Sequence, residues 1–181
     1  MDNKSLKDTI FYTPFMTVLY VFLQNPEKEL TDSDVTELVS TIKKSAVNNA
    51  LRELAELKFI DRSFKGKMAF NKLVETSTIT HLKIVGNLIR IQPLIDELVP
   101  DCSKIVLFGS RADGAHTSES DFDLFVISVK LDSINKTVRK SPLSEIIQMV
   151  IRKPEQMLTF KKDEPALSKE ISKGTVLWEK I

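Results

Sequence analysis

A single cysteine, Cys102, stands among 181 residues, so no internal disulfide can form, and with only two histidines, His81 and His116, no Cys/His zinc site can be assembled. Glycine (5) and proline (7) are scarce, and 42% hydrophobic with 28% charged residues excludes collagen-like, low-complexity and disordered classes. No apolar run approaches the roughly 18 to 20 residues of a membrane span. The opening Met1-Asp2-Asn3-Lys4 lacks the basic-then-apolar order of a signal peptide. These absences imply a cytoplasmic protein with no membrane partner. Charge of one sign is also missing: 26 basic and 25 acidic residues nearly cancel, so the overall field does not mark a nucleic-acid binder. The length predicts one or two compact units of roughly 80 to 100 residues.

The distribution of charge says more than its sum. Between residues 40 and 72, eight basic residues (Lys43, Lys44, Arg52, Lys58, Arg62, Lys65, Lys67, Lys72) face three acids (Glu53, Glu56, Asp61), a local charge of +5 on a chain whose total is +1. That stretch is a candidate surface for an anionic partner. Around it the apolar spacing predicts helices. Phe15, Val18, Leu19 and Phe22 follow i, i+3, i+4, i+7 with Pro14 in the first turn, giving a helix over 13–23 that ends at Asn25-Pro26. Thr31 with Asp34 three residues on has the form of a capping box, opening a second helix that reaches about Val39. Residues 41–58 give a third, with Ile42, Val47, Leu51, Leu54 and Leu57 inward and Lys44, Asn48, Asn49 and Arg52 toward solvent. Alternating segments at 59–63 and 67–70 around Lys65-Gly66 predict a hairpin.

Helix, short helix, helix and basic hairpin is the order of a winged helix-turn-helix. The wording "TIKKSAVNNALRELAELKFIDR" resembles the recognition helix and wing entry of bacterial and archaeal winged-helix regulators, over about residues 12–74. Such proteins usually carry Gly where this chain has Lys58, a turn position that favours positive φ. The resemblance implies that the third helix enters a DNA major groove. Lys44, Asn48, Asn49 and Arg52 would then reach bases or phosphates, and Arg62, Lys65 and Lys67 the flanking backbone. Asn can pair bidentately with adenine and Arg with guanine. A solvated helix face, on a module used for packing or dimerisation, would read the same way. A further helical pattern over 75–99, with Leu82, Val85, Ile89 and Ile95 apolar, Gly86 weakening it, Pro93 within and Pro100 ending it, predicts a connecting or dimerisation helix.

The second half carries a different chemistry. Residues 104–108 (Lys-Ile-Val-Leu-Phe) are short and apolar enough for a buried strand, which ends on Gly109-Ser110. Eleven residues past that serine, Asp121-Phe122-Asp123 opens a second apolar run. Two carboxylates one residue apart on a strand share a face, with Cβ atoms about 7 Å apart. Such a pair is self-repulsive, so one carboxyl is pushed toward protonation unless a cation joins them. Oxygen-only ligands suit Mg²⁺ or Mn²⁺. Gly109 lets a phosphate approach the backbone, and Ser110 offers it a hydroxyl and an amide. Gly109 and Gly114 have the spacing of a Walker A start, but Ala115-His116 follows where Lys-Ser/Thr is needed, and no G-x-G-x-x-G occurs. His116 is expected to be a solvated loop residue rather than a base.

The string "IVLFGSRADGAHTSESDFDLFVIS" resembles the signature of the nucleotidyltransferase superfamily that contains DNA polymerase beta and kanamycin nucleotidyltransferase. Arg111, Gly114 and Ser120 are similar to its small prokaryotic branch, the minimal nucleotidyltransferases. The likeness covers about residues 84–181, with "KGTVLWEKI" similar to that branch's last strand. The resemblance implies that Gly109 and Ser110 hold a nucleoside triphosphate, ATP or another, and that Asp121 and Asp123 bind two Mg²⁺ (or Mn²⁺) ions. An acceptor hydroxyl would attack the α-phosphate, and little covalent chemistry would fall to the protein. Arg111 would either reach the phosphates or brace its loop through Asp113 or Asp121.

One departure from that pattern concerns catalysis. Active members use a third carboxylate on a later strand; here the matching segment is 145–151, and the aligned residue is Gln148. An amide cannot act as a general base and is a poorer metal ligand than Asp. Glu145 could replace it only in a shifted register.

The expected architecture is therefore α/β (α+β): a winged helix-turn-helix over 1–74, a connecting helix over 75–100, and a minimal nucleotidyltransferase with a short mixed sheet over 101–181. The expected function is Mg²⁺-dependent transfer of a nucleoside monophosphate, AMP first, to a protein or small acceptor, with the winged helix on duplex DNA. The alternative is a catalytically degenerate DNA-binding regulator, or an antitoxin that pairs with a helical nucleotide-binding toxin. A homodimer mate could complete the cleft.

Overall fold

The computed structural model describes residues 6–40 and 42–180. The N-terminal Met1-Asp2-Asn3-Lys4, Thr41 at the expected start of the third helix, and Ile181 lie outside them. The chain divides into two compact units, Met1–Ile89 and Arg90–Ile181. Among the described residues no helix is long and apolar enough to cross a membrane.

The first unit runs α1 (Leu6–Ile10), α2 (Pro14–Gln24), β1 (Glu29–Thr31), α3 (Asp32–Leu38), α4 (Lys44–Glu56), β2 (Ile60–Lys65) and β3 (Met68–Leu73), and takes in the start of α5 (Ser77–Leu98). Local sequence explains the helix ends. The Thr13 hydroxyl accepts the Met16 amide at 3.2 Å, with Pro14 at the first helical position. Thr31 and Asp34 form the full capping box, Asp34 accepting the Thr31 amide at 2.8 Å and Thr31 the Asp34 amide at 3.2 Å. The Thr31 amide and hydroxyl hold the Asp34 carboxyl below its usual value.

Helix α4 buries Val47, Ala50, Leu51 and Leu54 against Val18, Leu19, Phe22 and Leu23 of α2. Leu57, expected inward, is 54% exposed because it follows the last helical residue. Lys58 then turns the chain at φ 60. Its amide bonds the Ala55 carbonyl at 3.0 Å, and the Phe59 amide bonds the Leu54 carbonyl at 2.9 Å. That is a Schellman ending, with lysine in the left-handed place where glycine is favoured.

The strands form an antiparallel sheet in the order β1-β3-β2. β1 extends the expected hairpin through the pairs Glu29 with Lys72 and Thr31 with Phe70. In α5 the buried stripe also departs from expectation. Val85 is 43% exposed, whereas Ile79, Lys83, Gly86 and Asn87 are buried, the Lys83 ammonium meeting Glu75 at 2.8 Å.

The second unit contains the rest of α5, with Pro93 inside the helix, then a 3₁₀ turn at Val99–Asp101. β4 (Lys104–Phe108), α6 (Ser110–Asp113), β5 (Phe122–Ile127), α7 (Leu131–Lys140), β6 (Ile147–Arg152), α8 (Met157–Asp163), α9 (Pro165–Lys173) and β7 (Thr175–Glu179) follow. The mixed sheet has the order β6-β5-β4-β7. β5 and β6 are parallel, as the crossover through α7 requires, and the other pairs are antiparallel. On one face Val106, Phe125 and Phe160 form a core, closed by Phe108, Ile127, Val150, Met157, Leu167 and Ile171. Phe125 and Phe160 stack at 5.3 Å. Burying one such ring contributes about 1.5 to 3 kcal/mol.

Candidate active site

The sheet pairing brings two sequence-predicted residues, Asp123 and Gln148, together at one end of the second unit. Phe108, last in β4, stands opposite Asp123 of β5, and Asp123 is in turn in register with Gln148 of β6. Gly109 follows Phe108 at φ 71 and ψ −163, backbone that L side chains rarely adopt. A Cβ there would overlap the Asp123 Oδ2 and stand 3.2 Å from its Cγ. Glycine therefore lets the carboxylate lie against the turn. Ser110 opens α6 directly after it and is half-buried.

Asp121 sits one residue before β5, and the Gln148 amide Nε2 donates to its Oδ2. An ionised carboxylate only accepts, so the amide must present its N–H side there. Burial, followed by the neighbouring charge of Asp121, raises the Asp123 carboxyl above its usual value. The smaller, second cause is the like-charge repulsion expected of the pair, which a cation would relieve. Asp121 and Asp123 accordingly fit a hard divalent ion such as Mg²⁺ or Mn²⁺ as oxygen donors. Among the described residues no group of three or more His, Cys, Asp or Glu side chains converges. Glu145 is exposed in the 3₁₀ turn Ser144–Ile146, before β6 begins, and so is not on the strand.

The loop carrying Asp121 is braced from beneath. Arg111 is fully buried. Its Nε and Nη2 donate to the Ser120 carbonyl at 2.9 and 2.6 Å, and the guanidinium lies 4.4 Å from the Phe122 ring centroid. The two bonds to the Ser120 carbonyl are those of a loop brace, one of the two roles expected for Arg111. Asp113 accepts the Ala115 amide at 2.9 Å, and Gly114 turns the chain at φ 77. Ser120 also accepts the Thr117 amide at 3.0 Å. Sequence reasoning missed the Ser120 carbonyl because a backbone acceptor leaves no mark on residue type. His116, expected in solvent, is 1% exposed and belongs to the packed base of this loop.

The basic residues of the first unit separate into two groups. Lys44, Asn49 and Arg52 are exposed along α4, and Lys65 and Lys67 are exposed at the hairpin end, where Gly66 turns at φ 64. Lys65 also reaches Glu29 at 3.0 Å and lies over the Phe70 ring at 4.4 Å. Asn48 is half-buried, and its Oδ1 is buried without a hydrogen-bond partner among the described residues. Arg62 departs from the expected surface role. β2 sets it opposite Asn71, and its guanidinium forks onto Asp32, Nη1 to Oδ1 and Nη2 to Oδ2 both at 2.7 Å, leaving the side chain 14% exposed. Asn71 completes this cluster by donating to Asp32 at 2.9 Å and to the Leu30 carbonyl at 3.1 Å.

Residues 90–180 match the family described as Polymerase beta, Nucleotidyltransferase. Among solved structures, the chain is similar to a provisionally assigned nucleotidyltransferase from Sulfolobus solfataricus, at 16% identity over 54% of this chain and 87% of that one, with a TM-score of 0.36. No curated protein matches the chain.

Proposed function

The chain belongs to the polymerase beta nucleotidyltransferase family through residues 90–180, and from that premise we propose that its second unit transfers a nucleoside monophosphate, AMP first, from a triphosphate to a protein or small acceptor. The observation that carries this reading is the Asp121 and Asp123 pair, with the Asp123 carboxylate lying against the backbone of Gly109 at the end of β4. Gly109 and Ser110 would receive the phosphates, Ser110 offering a hydroxyl and a backbone amide. Asp121 and Asp123 would hold Mg²⁺. When bound, the ion would supply charge neutralisation for the phosphate oxygens. Arg111 would support the site by bracing, through the Ser120 carbonyl, the loop that carries Asp121. Incubation with labelled ATP, Mg²⁺ and a lysate tests the proposal. A labelled acceptor that disappears with Asp123→Ala supports it, and no label under any divalent ion overturns it.

A specific observation favours a second reading, a regulator that binds nucleotide without transferring it. Gln148 stands where a proton acceptor is needed and engages Asp121 as a donor.

For the first unit, we propose a winged helix that binds duplex DNA. Its support is the order helix, strand, helix, helix, hairpin together with exposed Lys44, Asn49, Arg52, Lys65 and Lys67 within the +5 stretch. Binding should weaken steeply with salt, the logarithm of affinity falling by about 0.9 per phosphate neutralised for each tenfold rise in salt. Lys44→Ala with Arg52→Ala should lower the affinity and the salt slope. An unchanged, salt-sensitive shift would place the surface elsewhere.

A further inference from the structure

We propose that the site at Asp121 and Asp123 retains its nucleotide with one divalent cation rather than two, the carboxamide of Gln148 occupying the place of the second. This rests on the nucleotide-site reading above and deepens it.

Three observations carry it. First, β6 runs parallel to β5 in a register that sets Gln148 directly beside Asp123, so position 148 is part of the site and not merely near it. Second, Gln148 Nε2 donates to Asp121 Oδ2. That N–H takes one of the lone-pair sites of Asp121 and sets its positive end where a second cation would have to stand. Third, no other acid replaces the missing ligand. Glu145 is held in the turn before the strand, and no third carboxylate joins the pair among the described residues.

Charge points the same way. Paired-ion sites hold two divalent ions about 3.5 to 4 Å apart, and their mutual repulsion must be offset by surrounding anions. Here the protein offers two carboxylates, one of them already engaged by an amide donor. One Mg²⁺ ion, by contrast, is commonly bound through one or two carboxylates plus substrate phosphates and water. Gln148 is thus a positioning residue. It fixes Asp121 in the orientation that a second ion would otherwise impose, and keeps the pair assembled when no nucleotide is present.

The experiment is electron paramagnetic resonance of the full chain with Mn²⁺ as probe and a non-hydrolysable ATP analogue, the protein in excess over the analogue. Unmodified protein should bind about one Mn²⁺ per retained analogue with the spectrum of an isolated ion, and Gln148→Asp should raise this to about two with the splitting of a spin-coupled pair. Gln148→Glu is the second carboxylate variant, should Gln148→Asp fold poorly. A coupled pair in the unmodified protein overturns the inference and leaves the nucleotide site standing. Retention of one isolated ion by both carboxylate variants overturns the part assigned to Gln148. Failure to retain the analogue at any Mn²⁺ concentration overturns the nucleotide-site reading itself, and the inference with it.

Discussion

Gly109 has its missing side chain replaced in space by the carboxylate of Asp123: a Cβ on the glycine would overlap Oδ2 and come within 3.2 Å of Cγ. The turn after β4 and the acid on β5 are therefore one unit of geometry, joined by the pairing of Phe108 with Asp123. Gly109→Ala would meet two penalties. Backbone at φ 71 and ψ −163 costs an L residue about 1 to 3 kcal/mol, and the carboxylate must also move. Thermal unfolding should show that loss, and Mn²⁺-dependent nucleotide retention should fall with it. Adding Asp123→Ala should restore only the share of stability lost to overlap, since the backbone conformation stays costly. Full recovery would mean that the turn carries no strain of its own.

The Asp32 and Arg62 pair gives the first unit a defined acid response. The hydrogen bonds from Arg62 act first, and with Asn71 they hold the Asp32 carboxyl below its usual 3.8 against the opposing effect of burial. A depressed carboxyl stabilises the fold above the unfolded value and loses that contribution as pH falls through the folded one. Asp32→Asn should therefore cost about 1 to 3 kcal/mol near neutrality and almost nothing once the pH is low enough to protonate the native carboxyl. Denaturant titrations at the two pH values check this. A penalty of equal size at both would show that packing, not charge, holds Arg62.

Lys58 is the lone residue other than glycine with positive φ among the described residues. Lys58→Gly should stabilise the first unit by about 0.5 to 1 kcal/mol, since the Schellman bonds stay in place and the Cβ conflict of the left-handed conformation disappears. Hydrogen exchange at the α4 amides is the measurement. Slower exchange is expected, and faster exchange would mean that the lysine side chain contributes more than its backbone costs.

How much of this was legible depended on whether the signal was local. The Thr31 and Asp34 capping box, Thr13 with Pro14, and the strand over Lys104–Phe108 are written in adjacent residue types and appear as read. β1 is three residues long and exists only through its pairing with β3, so no periodicity announces it. Arg62 and His116 looked like solvent residues because type alone predicts exposure. Their burial comes from Asp32, thirty positions away, and from the folding back of the loop that holds Asp121. The place of Gln148 in the site came from the family resemblance, and the pairing of β5 with β6 sets it beside Asp123. Its bond to Asp121 could not be read from the sequence, since an amide at an aligned position has several possible partners.

The last prediction concerns rate. If nucleotide is held by Gly109, Ser110, Asp121 and Asp123, then replacing Gln148 should change chemistry more than affinity. A missing general base typically costs about 10²- to 10⁴-fold, or roughly 3 to 5 kcal/mol of barrier. Gln148→Asp should recover a measurable part of this in transfer to the labelled acceptor, with nucleotide affinity changed less than tenfold, about 1.4 kcal/mol. Gln148→Asn, which keeps the amide and shortens the chain by one carbon, should give no acceleration. That control separates a restored proton acceptor from the mere release of Asp121. Equal gains in both variants would show that the Gln148 bond to Asp121 is itself the brake, and brisk transfer by the unmodified protein would mean that another residue takes the proton.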